Sequence, residues 1–367
     1  MKAIKQILWT LQIRHLLKNK CTRNEDKSME ILSKMLPERI TPPSFIQETK
    51  YIPIVDVMLI IPVYNVDAYL EECICSILNQ KTKYTYVAVF VDDGSSDNSA
   101  TILNTYESDP RVKVIYQSNS GLSAARNAGM RTIQGRYIMF VDSDDILPEN
   151  SLEKLLNIAI ARDADIVEGS HATFSIDGTV ETIRHGDSLD NVRPSELFGY
   201  AWGKVIRTEV MVNTCFPTGY LYEDTIMATL VHPSCKSICT ISDIVYQYRL
   251  NPKGIDASTV TKKEVLDTFW ITKYCIEEAA RRDILITAER EKQYFDQIRL
   301  NWIRLKALPE EIQESVFIQY CNLYQKYFYP CSTQQETLRY TWIRNALKDK
   351  SYCAYIYLMK RWKQLDL

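Results

Sequence analysis

From about position 57 the chain alternates short, nearly continuous apolar runs with amphipathic stretches. The runs 57–63, 86–91, 112–116 and 137–141, with a further one at 164–167, have the length of strands and are too short for buried helices. The stretches between them, 68–78, 99–107, 123–132 and 151–161, repeat apolar residues at helical spacing. Strands that are apolar throughout are buried on both faces. The alternation therefore predicts an α/β domain: a mostly parallel sheet flanked by helices.

Outside this block the pattern changes. Ile4, Ile7, Leu8 and Leu11 recur at helical spacing among Lys2, Lys5, Arg14, Lys18 and Lys20, with no acid before Glu25. This predicts a basic amphipathic helix. Docking of its apolar stripe on the main domain is the preferred reading, ahead of a membrane surface. The segment 36–53, with Pro37, Pro42, Pro43 and Pro53, reads as a linker. Beyond Ser195 the chain reads as helical and aromatic-rich, and from about Val260 as an all-helical extension containing Phe269, Trp270, Trp302 and Trp342. The expected division is 1–55, a basic helical extension and linker; 56–255, the α/β domain; and 256–367, a C-terminal helical region.

Composition narrows the class. In 367 residues, 46% hydrophobic and 25% charged content excludes a disordered or coiled-coil chain, and no apolar run is long enough to span a bilayer. The net charge of −2 carries no nucleic-acid signature. That total conceals an asymmetry. Residues 1–55 hold ten Lys+Arg against five Asp+Glu, and 336–367 hold seven against three, which leaves −11 on the middle. The ten cysteines are scattered without zinc-ligand spacing, and the first apolar stretch ends in basic residues without a small-residue cleavage site. Free thiols in a reducing cytoplasm are the expectation.

In parallel sheets ligands bind at the carboxyl ends of the strands, so the polar residues there carry the chemistry. The first strand runs out into Pro62, Val63, Tyr64 and Asn65, and the second into Asp92, Asp93, Gly94 and Ser95. The adjacent carboxylates offer acceptors for a base or ribose, and a helix start nearby offers amides to phosphate. A calcium loop would need Gly at its sixth position and Glu at its twelfth, and the run has neither. The third strand leads into Asn119, Ser120 and Gly121, then a helix carrying Arg126 and Asn127. The fourth ends in Asp142, Ser143, Asp144 and Asp145. Such carboxylates repel one another unless a cation compensates, and hard oxygen ligands suit Mg²⁺ or Mn²⁺. A solvated acidic turn is the alternative. His15, His171, His185 and His232 show no metal-ligand spacing, and no hydrolase triad is evident.

Taken in order, Pro62 to Asn65, Asp92 to Ser95, Asn119 to Asn127, Gly129, Gly135 and the Asp-x-Asp of Asp142, Ser143 and Asp144 resemble the family 2 glycosyltransferases. The resemblance covers about 57–249. It implies the Rossmann-like GT-A fold and metal-dependent, inverting transfer of a hexosyl or N-acetylhexosaminyl group from a nucleotide-sugar, with UDP the expected nucleotide. It further implies that Pro62, Tyr64, Asn65, Asp92, Asp93, Gly94, Asn119, Gly121, Arg126, Asn127, Asp142 and Ser143 bind the donor, and that Asp144 ligates Mn²⁺ or Mg²⁺. Trp202 and Lys204 match a wall of the donor or acceptor site. Glu223 and Asp224 match the acidic pair that supplies the base, Asp224 in that role. Arg249, followed by Ser258, matches a basic residue reaching the diphosphate. The acceptor class implied is a glycan or a polyprenyl-linked intermediate of surface polysaccharide assembly, met in the cytoplasm, with an anionic inner membrane surface as a candidate partner for the basic ends. A nucleotide-binding scaffold of the same fold and a nucleotidyltransferase are the alternatives. The second of these usually needs a Gly-rich phosphate loop that the first strand lacks.

Overall fold

The computed structural model describes residues 2–39, 52–175, 177–190, 192–212, 214–251, 263–329, 338–362 and 364. Most of the expected linker and Ser258 lie outside them. The chain forms two compact units, one of Met1–Arg39 with Thr259–Leu367 and one of Ile40–Ser258. The two ends thus share a single unit rather than forming separate extensions. It begins with α1 (Lys2–Leu16) and α2 (Glu25–Met35). Asn24 starts α2 by accepting hydrogen bonds from the backbone of Asp26 and Lys27, which satisfies amides that have no partner inside the helix.

The second unit runs β1 (Val55–Val63), α3 (Asp67–Leu78), β2 (Tyr86–Asp92), α4 (Ser99–Tyr106), β3 (Val112–Tyr116), α5 (Leu122–Met130), β4 (Gly135–Phe140), α6 (Ser151–Ala161), β5 (Ile166–Ser175), β6 (Gly178–Ile183), β7 (Lys204–Arg207), α7 (Thr208–Met211), α8 (His232–Ser234) and β8 (Ile238–Arg249). One sheet has the order β3-β2-β1-β4-β7-β5-β6, with β8 paired to β5. The first four strands are mutually parallel, as their apolar runs predict, while β7 joins β4 and β5 antiparallel. Val57, Leu59, Ile61 and Val63 pack one face of β1 against Leu70, Ile74 and Ile77 of α3 and Leu152, Leu155 and Leu156 of α6. Each such side chain contributes about 1.5–3 kcal/mol by leaving water. On the other face α5 lies so close that a Cβ on Gly129 would fall 2.5 Å from Ile60 Cγ2.

The region beyond Ser195, read as helical, corrects to strand in two places, β7 and the twelve-residue β8. The pairing of β8 with β5 shifts register twice near Gly169, Ser170 and His171, which breaks the regular alternation that marks a strand in sequence. The order β2-β1-β4 puts the exits of β1 and β4 side by side, the crevice where such sheets take ligands.

The chain re-enters the first unit through α9 (Asp267–Arg281), α10 (Ala288–Leu305), α11 (Glu310–Leu323), α12 (Leu338–Lys348) and α13 (Tyr352–Lys360). α2 packs on α11, where Gln319 donates to the Glu25 carbonyl at 2.9 Å, and Trp270 of α9 donates to the Leu36 carbonyl at 3.1 Å. α1 packs on α13, with Ile13 fully buried. Among the described residues no helix is long and apolar enough to cross a membrane, and no disulfide joins the nine described cysteines.

Candidate functional site

Four strand ends and two loops converge at the carboxyl edge of the parallel strands. β1 and β2 exit together. The Asp93 amide donates to the Val63 carbonyl at 2.8 Å, the Asn65 amide donates to the Ser95 hydroxyl at 3.0 Å, and Asn65 Oδ1 accepts from the Ser96 amide at 2.8 Å. Asn65 adopts φ +48°, a left-handed turn that asparagine tolerates. Pro62 is buried within β1, while Tyr64 stands 52% exposed beside the turn.

The two acids after β2 are buried and already engaged. Asp92 accepts from the Ser95 amide at 3.0 Å. Asp93 accepts from Gln117 Nε2 at 2.7 Å and from the amides of Ser120 at 2.9 Å and Gly121 at 2.8 Å. Its carboxylate therefore shapes the loop that leads to α5. Gly94, at φ +74°, lies where a Cβ would fall 2.9 Å from the Asn119 backbone nitrogen, so the two loops cross in contact. Asn119 is exposed, and Gly121, at φ +87°, begins α5 with open space beside it.

Arg126 projects from α5 into the centre of the group and is 3% exposed. Its Nη1 donates to Glu223 Oε1 at 2.7 Å and its Nη2 to Asp142 Oδ1 at 2.9 Å, and its guanidinium lies 5.2 Å from the Phe216 ring centroid. Burial presses its pKa down, but Asp142, Glu223 and Asp224 more than reverse this, so it stays charged. Asn127 holds Phe216 in place, donating to its carbonyl at 2.8 Å and accepting from its amide at 2.9 Å. Asn127 thus supports the site from behind.

The acidic turn after β4 is gripped by β8. The Asp142 amide donates to the Tyr246 hydroxyl at 3.0 Å, which donates to Asp145 Oδ2 at 2.7 Å. Arg249 adds its amide to Asp145 Oδ1 and its Nε to the Asp144 carbonyl, both at 2.7 Å, and its Nη2 to Glu72 at 2.5 Å. Asn251 donates to Asp144 Oδ2 at 2.9 Å. Ser143 is buried between them. Burial raises the Asp144 carboxyl and the charge of Asp142 adds to it, against the Asn251 hydrogen bond. Asp145, with no exposure, is pushed well above its usual range by burial and then by its two neighbours. This is negative potential short of a counter-charge, and it fits a hard divalent cation. Among the described residues no three His, Cys, Asp or Glu side chains form a ready metal cluster, so a cation here would draw most of its ligands from a bound diphosphate and water.

The facing wall is aromatic. Trp202 stacks between Tyr246 at 4.4 Å and Tyr200 at 4.5 Å, with His171 edge-on at 4.9 Å. Lys204 is not part of its surface. It is fully buried, ion-paired to Glu168, and donates to the Phe198 carbonyl at 2.6 Å. Glu168 in turn accepts from the Phe198 amide at 2.8 Å and meets His185 Nε2 at 2.6 Å. Lys204 therefore fixes the wall from inside. The acidic pair sits on a turn with Tyr222 at φ +63°, after which Met227–Val231 forms a π-helical turn leading into α8. Glu223 is buried against Arg126 and Asp224 is half-buried.

The grouping unites residues that the sequence marked singly: Arg126, Asp142 and Glu223 are one ion-paired cluster. Tyr246, Phe216 and Asn251 are not singled out by the sequence, and Asp145 only as part of the acidic run. The one signal for them was the density of aromatics and carboxylates around β4 and β8.

The family model described as "Glycosyl transferase family 2" matches residues 58–223. GlyG, a glycosyltransferase of Streptococcus pneumoniae, is 32% identical over 212 residues, 53% of this chain and 70% of that protein. GlyA, a glycosyltransferase of the same organism, is 33% identical over 225 residues, 56% of this chain and 32% of GlyA, so the chain spans about a third of its length. A crystal structure of S. aureus TarS 1-349 in complex with UDP-GlcNAc superposes with a TM-score of 0.65 over 84% of this chain and 92% of that one, at 19% identity, which shows a common fold.

Proposed function

Since the chain belongs to glycosyltransferase family 2, we propose that it transfers a sugar from a UDP-sugar to a hydroxyl of a glycan or lipid-linked acceptor in surface polysaccharide assembly. One observation carries this reading. Arg126 ties Asp142, on the acidic turn expected to hold the donor, to Glu223, the neighbour of the expected base. The two halves of a displacement site are thereby held in fixed register. The UDP-GlcNAc complex of TarS supports the choice of nucleotide.

In this mechanism Tyr64, Asn119 and the loop ordered by Asp92 and Asp93 receive the nucleoside, and the aromatic wall that Trp202 backs, with exposed Tyr200 stacked on it, receives the sugar. Asp224 accepts the proton of the acceptor hydroxyl. The new bond forms between that oxygen and the anomeric carbon as the bond to the diphosphate breaks on the opposite face, which inverts the centre through an oxocarbenium-like state. Mn²⁺ or Mg²⁺, held by Asp144 together with the diphosphate, would neutralise charge on the leaving group. Arg126 stays paired throughout and keeps Asp142 and Glu223 from repelling each other.

The test is UDP release across a panel of UDP-sugars with candidate acceptors, beside calorimetric binding of UDP with Mn²⁺. Asp224→Asn is expected to lower turnover at least about a hundredfold with donor affinity retained. Asp144→Ala is expected to lose the metal-dependent part of donor affinity. Equal loss of donor affinity in both variants would count against separate roles.

A further inference from the structure

α1 turns Leu11, an apolar residue of its sequence stripe, away from its buried side. Ile13 is its buried contact on α13, completed by Tyr357 donating to Gln12 Oε1 at 2.9 Å and Ser351 donating to the Leu16 carbonyl at 2.8 Å. Leu11, two positions earlier and so about 200° round the helix, is 57% exposed. Leu11 is the last residue of the 4–7–8–11 repeat, and Arg14 and His15, both exposed, share its side of the helix, with exposed Lys18 in the turn that follows. The expectation that this stripe packs on protein is thus not met at the residue where it can be read.

The two packed helices carry basic residues and no acid of their own. Residues 1–24 and 351–364, which hold α1 and α13 with their flanking residues, contain nine Lys and Arg and no Asp or Glu, one of them, Arg23, paired to Glu311 and Glu314 of α11. The whole helical unit carries 27 Lys+Arg against 18 Asp+Glu, a net +9, while the sheet unit carries 17 against 28, a net −11. A helix held along a bundle with an apolar residue outward, with exposed Arg14 beside it and no acid of its own, complements a surface that is negative and apolar beneath. An acidic polymer would satisfy the cations and leave Leu11 in water.

We propose that α1, seated on α13, is a docking face for an anionic lipid bilayer, which it meets edge-on through Leu11 with Arg14 and Lys18 at the headgroups. The proposal does not depend on the transfer reaction, and its readout needs neither donor nor acceptor.

The test is co-sedimentation of the full chain with vesicles of phosphatidylcholine alone or mixed equally with phosphatidylglycerol. Binding is expected only to the mixed vesicles and is reversed by raised salt. Arg14→Glu/Lys18→Glu should weaken partitioning by about fivefold per cation removed. Leu11→Glu should weaken it by about tenfold or more, with helix content by circular dichroism unchanged because all three positions are exposed. Absence of phosphatidylglycerol-dependent binding at low salt overturns the proposal. So does full binding by Leu11→Glu with competition by soluble polyglutamate, which makes the face a polyanion site. Dissociation of a wild-type dimer by Leu11→Glu would also overturn it, since the face would then join two copies of the chain.

Discussion

Lys204 shows how a residue in a site motif can act without meeting a ligand. Its ammonium is fully buried, and burial lowers its pKa against the pull of Glu168. Removing Lys204 leaves the buried Glu168 carboxylate with only His185 and the Phe198 amide to compensate it, where a wholly stranded charge would cost about 3–5 kcal/mol. Lys204→Met should therefore lower the urea midpoint sharply. Adding Glu168→Gln should recover part of the loss by removing the stranded charge. A Lys204→Met variant as stable as wild type would show that the pair does not brace the wall.

His232 gives a pH dependence of definite sign. It is fully buried, neither ring nitrogen has a hydrogen-bond partner, and burial, reinforced by Lys204, holds its pKa well below the usual 6.5. The unfolded chain takes up a proton near 6.5 that the folded chain refuses, so this contribution is intact above that pH and is lost as pH falls below it. His171, lowered by burial, adds in the same direction. His232→Phe should flatten the decline in stability between about pH 6.5 and 5, measured by urea unfolding at each pH. An unchanged slope would refute the assignment.

At the scale of elements, the site depends on how closely α5 lies on the sheet. A Cβ on Gly129 would fall 2.5 Å from Ile60 Cγ2, and because Ile60 is fully buried and β-branched, Gly129→Ala must displace that side chain or the helix that bears the new methyl. Overpacking of this kind costs about 1–3 kcal/mol. It would also shift Arg126, one turn earlier, from hydrogen bonds of 2.7 and 2.9 Å. Turnover should fall more than the stability loss accounts for, as seen by comparing kcat with the melting midpoint. A variant that loses stability alone would show that helix position and activity are not coupled.

The same scale explains what could be read from sequence. β1 to β4 were legible because strands buried on both faces leave unbroken apolar runs, and α3 to α6 because each shows an apolar stripe. β8 was not, since its bulged pairing interrupts the alternation. The residues of the donor motif were legible by position but not by partner. Arg126 meets Glu223 across 97 positions and Asn127 meets Phe216 across 89, and local pattern carries no record of such contacts. Asp93 was marked as an acceptor for a ligand, whereas its oxygens are taken by the chain's own amides.

For the whole molecule, the net charge of −2 is the sum of a unit at +9 and a unit at −11. The basic ends that look like two appendages in the sequence are one folded body, stitched by the Cys21 amide on the Lys350 carbonyl at 2.8 Å and by Arg23 on Glu314 at 2.7 Å. That body has a history on the ribosome. α2 is made early, but α11, on which it packs, follows only after the entire sheet unit. At about 5–20 residues per second, Leu32 waits roughly 15 to 60 s for its partner. α2 thus emerges before the sheet unit and is buried only after it, and during synthesis it is a ready target for chaperones.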